Sequence, residues 1–393
     1  MTALYPVSDL YGFADLLTDA ETAKLRSLRE LLETQLAPIL PDFWERAASP
    51  VHLREPLRDL RLVDDPALLG SDGRTRELYN GFRAFEFSRT DISTGMLFHG
   101  QTAMFRELVR QGGSDEQVAA WDDAIVSFEM TGCFALTEPD HGSDVAGGLA
   151  TTARREGEEW ILDGAKRWIG NAAFSEFVGV FARDVADGQV KVFLARTDDP
   201  GMTLTTIERK AALRLITNSD ISLEGVRVPE SHRLQRVSSF ADVSALFRTL
   251  RPDIAWIAAG AQAGAYEAAL RYTLSREQFG RPIAGFQLVQ DKLVRMLGNV
   301  TASLGMVVRL AERRQAGVSR DEDSALAKVW LSDRLRETVA WAREVVGGNG
   351  IVIDNDVARF FTDAEAVYTY EGTREINTLI VGRAVTGLSA FTR

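Results

Sequence analysis

The sequence contains very little cysteine or histidine, which narrows the kinds of site that it can build. Cys133 is the only cysteine among 393 residues, so the chain cannot form an internal disulfide. The four histidines lie far apart, without the close spacing that is typical of zinc ligands. We therefore expect no metal centre built from histidine and cysteine.

The sequence also lacks an excess of positive charge and a long apolar run. Its formal net charge is −11, whereas a nucleic-acid-binding surface needs a concentration of basic side chains. The most apolar stretch, residues 254–270, contains Gln262 and Glu267 and is shorter than the roughly 20 residues that cross a bilayer. The first residues, MTALYPVSDL, have no signal-peptide pattern. We therefore expect a cytoplasmic protein that binds neither nucleic acid nor membrane.

Three zones with different hydrophobic periodicity follow one another along the chain. Residues 1–131 are helical in pattern, and Thr18 and Glu21 form a capping-box pair before leucines at helical spacing. Residues 132–236 show a period of two, which predicts a β domain. Residues 237–393 return to a helical period. We predict an α+β protein with an N-terminal helical domain, a middle β-barrel-like domain and a C-terminal four-helix bundle.

The boundaries of single elements follow from turn residues and from periodicity. Asp163-Gly164 and Asp187-Gly188 each separate two apolar strand patterns and predict β-hairpins. Two further short strands are predicted before Pro229. The predicted helices of the bundle are residues 243–274, 286–316, 322–346 and 373–388.

Several motifs admit either a ligand or a purely structural role. The polar loop after Thr137 contains Gly142, which would let the backbone approach a flat or phosphorylated ligand, or would simply form a turn. Trp168 could flank an aromatic cofactor or fill a core. Arg276 suits a diphosphate, or the dipole at a helix end. The turn 347–350 could contact a ligand or cap a helix.

Glu371 is the candidate general base. It lies between Tyr370 and Gly372, immediately before an amphipathic helix. Partial desolvation there would raise its pKa towards the value that a base needs near neutral pH. The structural alternative is an acidic residue that stabilises a helix N-terminus.

Five of these segments occur in one order and resemble the acyl-CoA dehydrogenase family. They are T-E-P-x-x-G-S-D, K-x-W-I-x-N, R-x-Q-F-G, G-G-N-G and Y-E-G-T, and the resemblance covers at least residue 88 to the C-terminus. The form K-R-W-I-G-N is most similar to the short-chain acyl-CoA oxidase branch, and the glutaryl-CoA dehydrogenases are next. A coincidence of five ordered motifs is very improbable.

The resemblance implies a homotetramer with FAD between the β domain and the bundle. Glu371 would be the base, because Leu250, at the position some relatives use instead, cannot accept a proton; Asp253 lies nearby in sequence. The implied cofactor-binding residues are Phe134, Leu136, Thr137, Gly142, Ser143, Trp168, Gly170, Arg276, Phe279, Gln287, Gly348 and Thr373. The implied substrate-binding residues are Ser143, Arg251, Tyr370 and Gly372.

The implied reaction is α,β-dehydrogenation of an acyl-CoA to the trans-2-enoyl-CoA, as in fatty acid metabolism. Glu371 would remove the α-proton while hydrogen bonds from its own backbone N–H and from a ribityl hydroxyl stabilise the enolate. The β-hydrogen would leave as hydride to flavin N5. Gly95 aligns approximately with the arginine that binds the distal carboxylate in glutaryl-CoA enzymes, which disfavours a dicarboxylyl substrate.

Two departures from the family pattern keep alternatives open. Gly170 replaces a common threonine near flavin N5, and Glu344 replaces a glutamine near the diphosphate. The leading interpretation is a short- or medium-chain dehydrogenase that passes electrons to an electron-transfer flavoprotein. The alternatives are an acyl-CoA oxidase that uses O2, an enzyme for a carrier-bound acyl group, and a non-catalytic acyl-thioester-binding relative. The sequence leaves acyl chain length and branching open.

Overall fold

The computed structural model describes residues 3–390, which divide into two compact units. Unit 1 comprises Met1–Gly95, Ala211–Leu215 and Arg251–Arg393, and unit 2 comprises Met96–Lys210 and Ile216–Leu250. The mixture of helices with one curled sheet confirms the α+β class. The three-domain boundaries given above stay a prediction.

The helices dominate unit 1 and flank the sheet of unit 2. In chain order they are α1 (Asp19–Leu31), α2 (Leu40–Arg46), α3 (Arg54–Asp59), α4 (Glu77–Thr90), α5 (Ile92–His99), α6 (Arg106–Gly112), α7 (Asp115–Val126), α8 (Val145–Gly148), α9 (Phe240–Ser275), α10 (Gln287–Gln315), α11 (Asp321–Val346), α12 (Asp356–Thr369) and α13 (Arg374–Thr386). The strands are β1 (Gly132–Ala135), β2 (Thr152–Glu156), β3 (Glu159–Gly170), β4 (Phe177–Asp184), β5 (Val190–Arg196), β6 (Met202–Thr206), β7 (Asn218–Pro229), β8 (Glu277–Gln278) and β9 (Arg281–Pro282).

The start of α1 is fixed by the capping box that the sequence predicts. The Glu21 N–H donates to Thr18 Oγ1 at 3.2 Å, and the Thr18 N–H donates to Glu21 Oε2 at 2.8 Å. Leu25, Leu28 and Leu31 follow on one buried face. The capping box therefore gives partners to two N–H groups at the helix start before the apolar stripe begins.

The helices of the predicted bundle occur within three residues of the expected ends, and the structure adds α12, which the periodicity missed. Helices α10, α11 and α13 lie in unit 1, whereas α9 begins in unit 2 and enters unit 1 at Arg251. Helix α9 approaches α4 closely through two glycines. A Cβ on Gly260 would lie 2.3 Å from the Phe85 carbonyl oxygen, and one on Gly264 would lie 2.2 Å from that of Arg89. Only glycine fits at these positions, because the obstacle is backbone rather than a flexible side chain.

Unit 2 contains a seven-stranded sheet in the order β1-β4-β2-β3-β7-β6, with β5 paired to β4. The hairpin at Asp187-Gly188 is confirmed, since β4 and β5 pair antiparallel around it. The hairpin at Asp163-Gly164 is wrong, because β3 continues through both residues. Gly164 has φ +148° and marks a register shift against β7, so it produces a bulge where a turn was expected.

The chain reverses instead between β2 and β3, at Gly157 with φ +63°. The two strands predicted before Pro229 are one strand, β7, in which Gly225 adopts φ +67°. Both errors have one cause: a glycine at positive φ serves a bulge as readily as a turn.

Among the described residues, α10 is the one helix long and apolar enough to span a membrane by length and composition alone. Just under half of its apolar window is buried within the protein. The long core helix of a bundle meets the same criterion, so this finding is weak evidence for a membrane span.

Candidate active site

The short connection between α12 and α13 carries Glu371 in an uncommon backbone conformation. Helix α12 ends at Thr369, and α13 begins after Thr373, whose hydroxyl accepts the Ile376 N–H at 3.2 Å. Glu371 has φ +51° and Gly372 has φ +87°. A left-handed φ is unfavourable for glutamate, and such residues persist only where the surroundings impose the conformation.

Two buried side chains of neighbouring helices hold this connection. The Lys328 ammonium on α11 donates to the Tyr370 carbonyl at 2.8 Å and also to the Gly372 carbonyl. The Asn377 amide on α13 donates to the Gly372 carbonyl at 2.8 Å and to the Thr373 carbonyl at 3.0 Å. The backbone on both sides of Glu371 is therefore anchored.

The Glu371 carboxyl group is placed where its charged form is disfavoured. Its Oε1 atom is buried and has no hydrogen-bond partner in the described part of the chain. Burial and the negative charge of Asp253 raise the pKa of Glu371 to about 8, although the cations of Lys328 and Arg251 act in the opposite direction. Such a carboxylate is a good proton acceptor close to neutral pH.

The residues assigned to the substrate are only partly brought together within one unit. Tyr370 and Gly372 flank Glu371, and Arg251, in the first third of α9, is close enough to influence the pKa of Glu371. Arg251 also lies 3.6 Å from Asp321 at the start of α11. Ser143 belongs to unit 2, in an exposed loop.

The cofactor residues assigned to unit 1 lie at helix ends and turns. Arg276 directly follows α9, and the Ile283 N–H donates to its carbonyl at 2.8 Å. Phe279 and Gly280, both at positive φ, form the tight turn between β8 and β9. The Asn349 amide donates to the Tyr272 hydroxyl at 2.9 Å. This bond brings the turn that contains Gly348 to the same end of α9.

The remaining two residues of that set are both exposed or half-exposed at helix starts. Gln287 is the first residue of α10, and Thr373 caps α13. The side chains of Arg276 and Gln287 are exposed, which leaves their polar groups accessible to a ligand.

The cofactor residues of unit 2 lie in β1, in the loop that follows it, and at the C-terminal end of β3. The Arg167 N–H donates to the Thr137 carbonyl at 2.8 Å, which ties the loop after β1 to β3. The Phe134 ring lies 4.7 Å from that of Phe181, and Leu136 packs into the core, so any contact of Leu136 with a cofactor involves its main chain. Gly142 and Ser143 are exposed.

A buried ion pair supports this loop. The Lys166 ammonium donates to Glu138 Oε1 at 2.9 Å and to the Leu136 carbonyl at 3.2 Å, while Glu138 also accepts the N–H groups of Ala150 and Thr151 at 2.7 and 2.9 Å. Burial lowers the pKa of Lys166 to about 8. The ends of the loop that carries Ser143 are thus fixed by a fully partnered carboxylate.

Taken separately, the two units fit the parts of FAD that the resemblance assigns to them. In unit 2, Trp168 has φ +64° and its side chain is 52% exposed, which leaves an indole ready to cover a flat ring. In unit 1, Phe279 is 94% exposed beside the basic Arg276. Exposed large aromatic side chains at both places are expected where a cofactor covers them.

Sequence reasoning missed Lys328 and Asn377 and gave no role to Asp253. A signal for Lys328 was present, because it lies at helical spacing from Ala325, Leu331 and Leu335 on the buried face of α11. A charged residue on such a face indicates a specific partner. The partners themselves are main-chain carbonyls 40 to 44 residues away, which the sequence cannot reveal.

Comparison with known proteins gives consistent matches over most of the chain. Residues 133–226 match the middle domain of acyl-CoA dehydrogenases, and residues 240–386 match their C-terminal domain. The human mitochondrial short-chain specific acyl-CoA dehydrogenase is 30% identical over 365 residues, which covers 91% of this chain and 88% of the relative.

Two solved structures share the fold throughout. A glutaryl-CoA dehydrogenase from Mycobacterium smegmatis has a TM-score of 0.91 at 35% identity and covers 98% of this chain and 99% of its own. A second structure of a glutaryl-CoA dehydrogenase from that organism, in complex with FADH2, has a TM-score of 0.92 at 30% identity and covers both chains fully.

Proposed function

Because the chain belongs to the acyl-CoA dehydrogenase family, whose members are FAD-dependent oxidoreductases acting on CH–CH bonds, we propose that it oxidises a short- or medium-chain acyl-CoA with Glu371 as the base. The observation that carries this proposal is the Glu371 carboxyl group itself. Its Oε1 atom is buried and without a partner in residues 3–390, and its pKa is raised to about 8.

The proton transfer needs a base and a stabilised enolate. An α-proton of a thioester is far less acidic than a carboxylic acid, so Glu371 can remove it only if the negative charge on the thioester oxygen is stabilised. The backbone N–H of Glu371 would donate to that oxygen, and Gly372 leaves the backbone accessible because it carries no Cβ. When bound, FAD supplies the acceptor for the β-hydrogen and its two electrons.

Burial gives Glu371 two useful properties. Its raised pKa makes it a stronger base than an ordinary glutamate, which suits it to a weakly acidic substrate. Its unpartnered oxygen needs no hydrogen bond broken before it can accept a proton. Arg251 and Lys328 lower the pKa of Glu371, so the carboxylate can still form near neutral pH.

The surroundings of Gly95 support a monocarboxylyl substrate. A Cβ at Gly95 would lie 3.2 Å from Ser88 Oγ and 3.3 Å from Phe87 Cβ. A residue with a long cationic side chain at this position would require both neighbours to move. We therefore infer that the acyl chain meets no carboxylate-binding arginine at Gly95.

The test is anaerobic reduction of the bound flavin by a panel of acyl-CoAs, followed as loss of visible absorbance. Glu371→Gln should retain FAD but lose substrate reduction, because an amide cannot accept the α-proton. Glu365→Gln is the matched control, since Glu365 is exposed on α12 and pairs with Arg336 at 2.8 Å. Normal reduction of Glu371→Gln would remove the assigned base.

A second candidate, an acyl-CoA oxidase, is favoured by the space beside Gly170. A Cβ there would have only ordinary contacts, 3.6 Å from Ile216 Cγ2 and 3.7 Å from Asn218 Nδ2. Room in which a larger side chain would fit could admit O2. Rapid reoxidation in air with release of peroxide, slowed by Gly170→Thr, would favour the oxidase; slow reoxidation would favour an electron-transfer flavoprotein as acceptor.

We further infer a cytoplasmic homotetramer that acts on coenzyme A thioesters. Light scattering coupled to size exclusion measures the mass of the assembly, and a dimer or monomer would contradict this inference. A comparison of acyl-CoA with the same acyl group on a carrier protein distinguishes the two thioester classes. Preference for the carrier-bound form would redirect the function to biosynthesis.

A further inference from the structure

Lys328 is a buried lysine that the proposed mechanism leaves without a direct chemical task. Its side chain is 1% exposed on the apolar face of α11. Buried lysines usually pair with a carboxylate. In the described residues, Lys328 makes no salt bridge, and its hydrogen bonds go to main-chain carbonyls of the connection that carries Glu371.

The three acceptors bracket the base. Lys328 Nζ donates to the Tyr370 carbonyl at 2.8 Å, to the Gly372 carbonyl, and more weakly to the Tyr368 carbonyl at 3.4 Å. Asn377 donates to the Gly372 carbonyl as well, at 2.8 Å. Hydrogen bonds from an ammonium group are stronger than those between neutral groups, so Lys328 is the main anchor.

Peptide planarity transmits this anchoring to Glu371. The Tyr370 carbonyl and the Glu371 N–H belong to the same planar trans peptide, so fixing the oxygen fixes the direction of the N–H. The Gly372 carbonyl belongs to the next peptide, between Gly372 and Thr373, so its bonds hold the chain one residue beyond Glu371. With the chain held on both sides, Glu371 is kept at φ +51°, and its side chain leaves the backbone in one direction.

We propose that Lys328 is the positioning residue of this active site, holding the two carbonyls that flank Glu371 so that its N–H and its carboxylate are aimed together at one thioester. This inference rests on the proposed function of Glu371 as the base. Lys328 touches neither substrate nor flavin in this role; it acts through the backbone.

The charge of Lys328 provides a second effect that an experiment can separate from folding. Four charged groups on three helices face this site: Asp253 and Arg251 on α9, Lys328 on α11 and Glu375 on α13. Lys328 and Arg251 lower the pKa of Glu371, whereas burial and Asp253 raise it. Burial lowers the pKa of Lys328 itself to about 8, so its ammonium group acts on Glu371 mainly below that pH. Loss of the ammonium group therefore raises the pKa of the base in that range.

The test compares Lys328→Met with Lys24→Met in the FAD-loaded protein. Lys24 on α1 is the control because it also donates to a main-chain carbonyl, that of Leu60 at 2.8 Å, and in the described part of the chain makes no hydrogen bond or salt bridge with residues 368–374; its variant also loses a salt bridge to Asp65. Lys328→Met should reduce flavin with acyl-CoA about 10- to 100-fold more slowly near neutral pH, since misplacement by about 1 Å can have that effect. The rate should also begin to rise at a higher pH, because this rising limb of the pH–rate profile reflects the deprotonation of Glu371.

A readout that needs no activity is amide hydrogen exchange of peptides that cover residues 368–374. Lys328→Met should exchange faster there than the wild type and Lys24→Met. Lys328→Gln, which keeps a donor but loses the charge, should shift the pH–rate limb with a smaller loss of rate. It also serves as the test variant if Lys328→Met does not fold.

The outcomes separate this inference from the proposed function. A Lys328 variant with wild-type rate, pH profile and exchange would overturn the positioning role while leaving Glu371 as the base. If the wild type itself is not reduced by any acyl-CoA, the proposed function fails, and the exchange measurement still decides whether Lys328 holds the connection.

Discussion

The pKa of Glu371 can be lowered by removing one neighbouring charge. Asp253 on α9 is the second cause of the raised pKa, after burial, so Asp253→Asn removes a repulsion and leaves the burial in place. The pKa should fall from about 8 but stay above the ordinary 4.5 of a glutamate. The direction follows from electrostatics alone, because an anion disfavours a second anion near it.

The size of the effect follows from Coulomb's law with a protein-like dielectric. Two unit charges about 6 to 10 Å apart repel by about 1.5 to 3 kcal/mol at an effective dielectric constant of about 20. Since one pKa unit corresponds to about 1.4 kcal/mol, the pKa should fall by about one to two units. At pH 7 the deprotonated fraction would rise from about a tenth to about a half or more.

The assay is the rate of anaerobic flavin reduction by acyl-CoA, measured from pH 6 to pH 9 by stopped flow. The wild-type rate should rise with pH through about 8, because Glu371 must lose its proton before it can accept one. For Asp253→Asn the rising limb should lie at lower pH, with a rate at pH 7 about fivefold higher. The exposed Asp354 gives the control variant Asp354→Asn, which should keep the wild-type profile. A limb for Asp253→Asn that stays in place or moves upward would refute the electrostatic account.

Two further predictions concern packing and the loop after β1. Gly260→Ala should lower the free energy of unfolding by about 1–3 kcal/mol, because the new Cβ would lie 2.3 Å from the Phe85 carbonyl oxygen. The control is Gly298→Ala on α10, which should not destabilise the protein, because nothing lies within 4 Å of a Cβ there. Thermal denaturation measures both variants. Lys166→Met leaves Glu138 buried without its cation, and should destabilise the protein by about 3–5 kcal/mol and weaken FAD retention, measured by denaturant unfolding and flavin fluorescence. If Gly260→Ala or Lys166→Met is as stable as the wild type, the prediction for that variant is wrong.

The sequence predicts helices well where they carry a full apolar stripe and a recognisable cap. The α1 capping box and the long helices of unit 1 follow from these signals, which are local. Helix α12 was missed because it lies between two glycine-bearing segments, 347–350 and 370–373, and begins after Asn355 without a side-chain cap. The double role of glycine explains the wrong hairpin at Asp163-Gly164, since bulge and turn need the same backbone freedom.

The sequence also predicts the parts of the site that depend on neighbouring residues, and it does not predict those that depend on residues far away along the chain. Glu371 could be identified because its neighbours form a motif, but its burial and its charged neighbours come from α9 and α11, far away in sequence. Arg251 was predicted by resemblance and does lie close enough to act on the pKa of Glu371. Lys328 could be flagged as a charge on an apolar face, but the carbonyls that it binds could not, because backbone acceptors leave no trace in the sequence.

The raised pKa of Glu371 also affects the stability of the fold that surrounds it. An unfolded chain releases this proton near the ordinary pKa of 4.5, whereas the native state keeps it until about pH 8. The native state therefore binds more protons across that interval, and by linkage its stability declines as the pH rises through it. A neutral glutamine at position 371 would not have this pH dependence. The buried acid that serves as the base therefore lowers the free energy of unfolding of the wild-type protein in mildly alkaline solution.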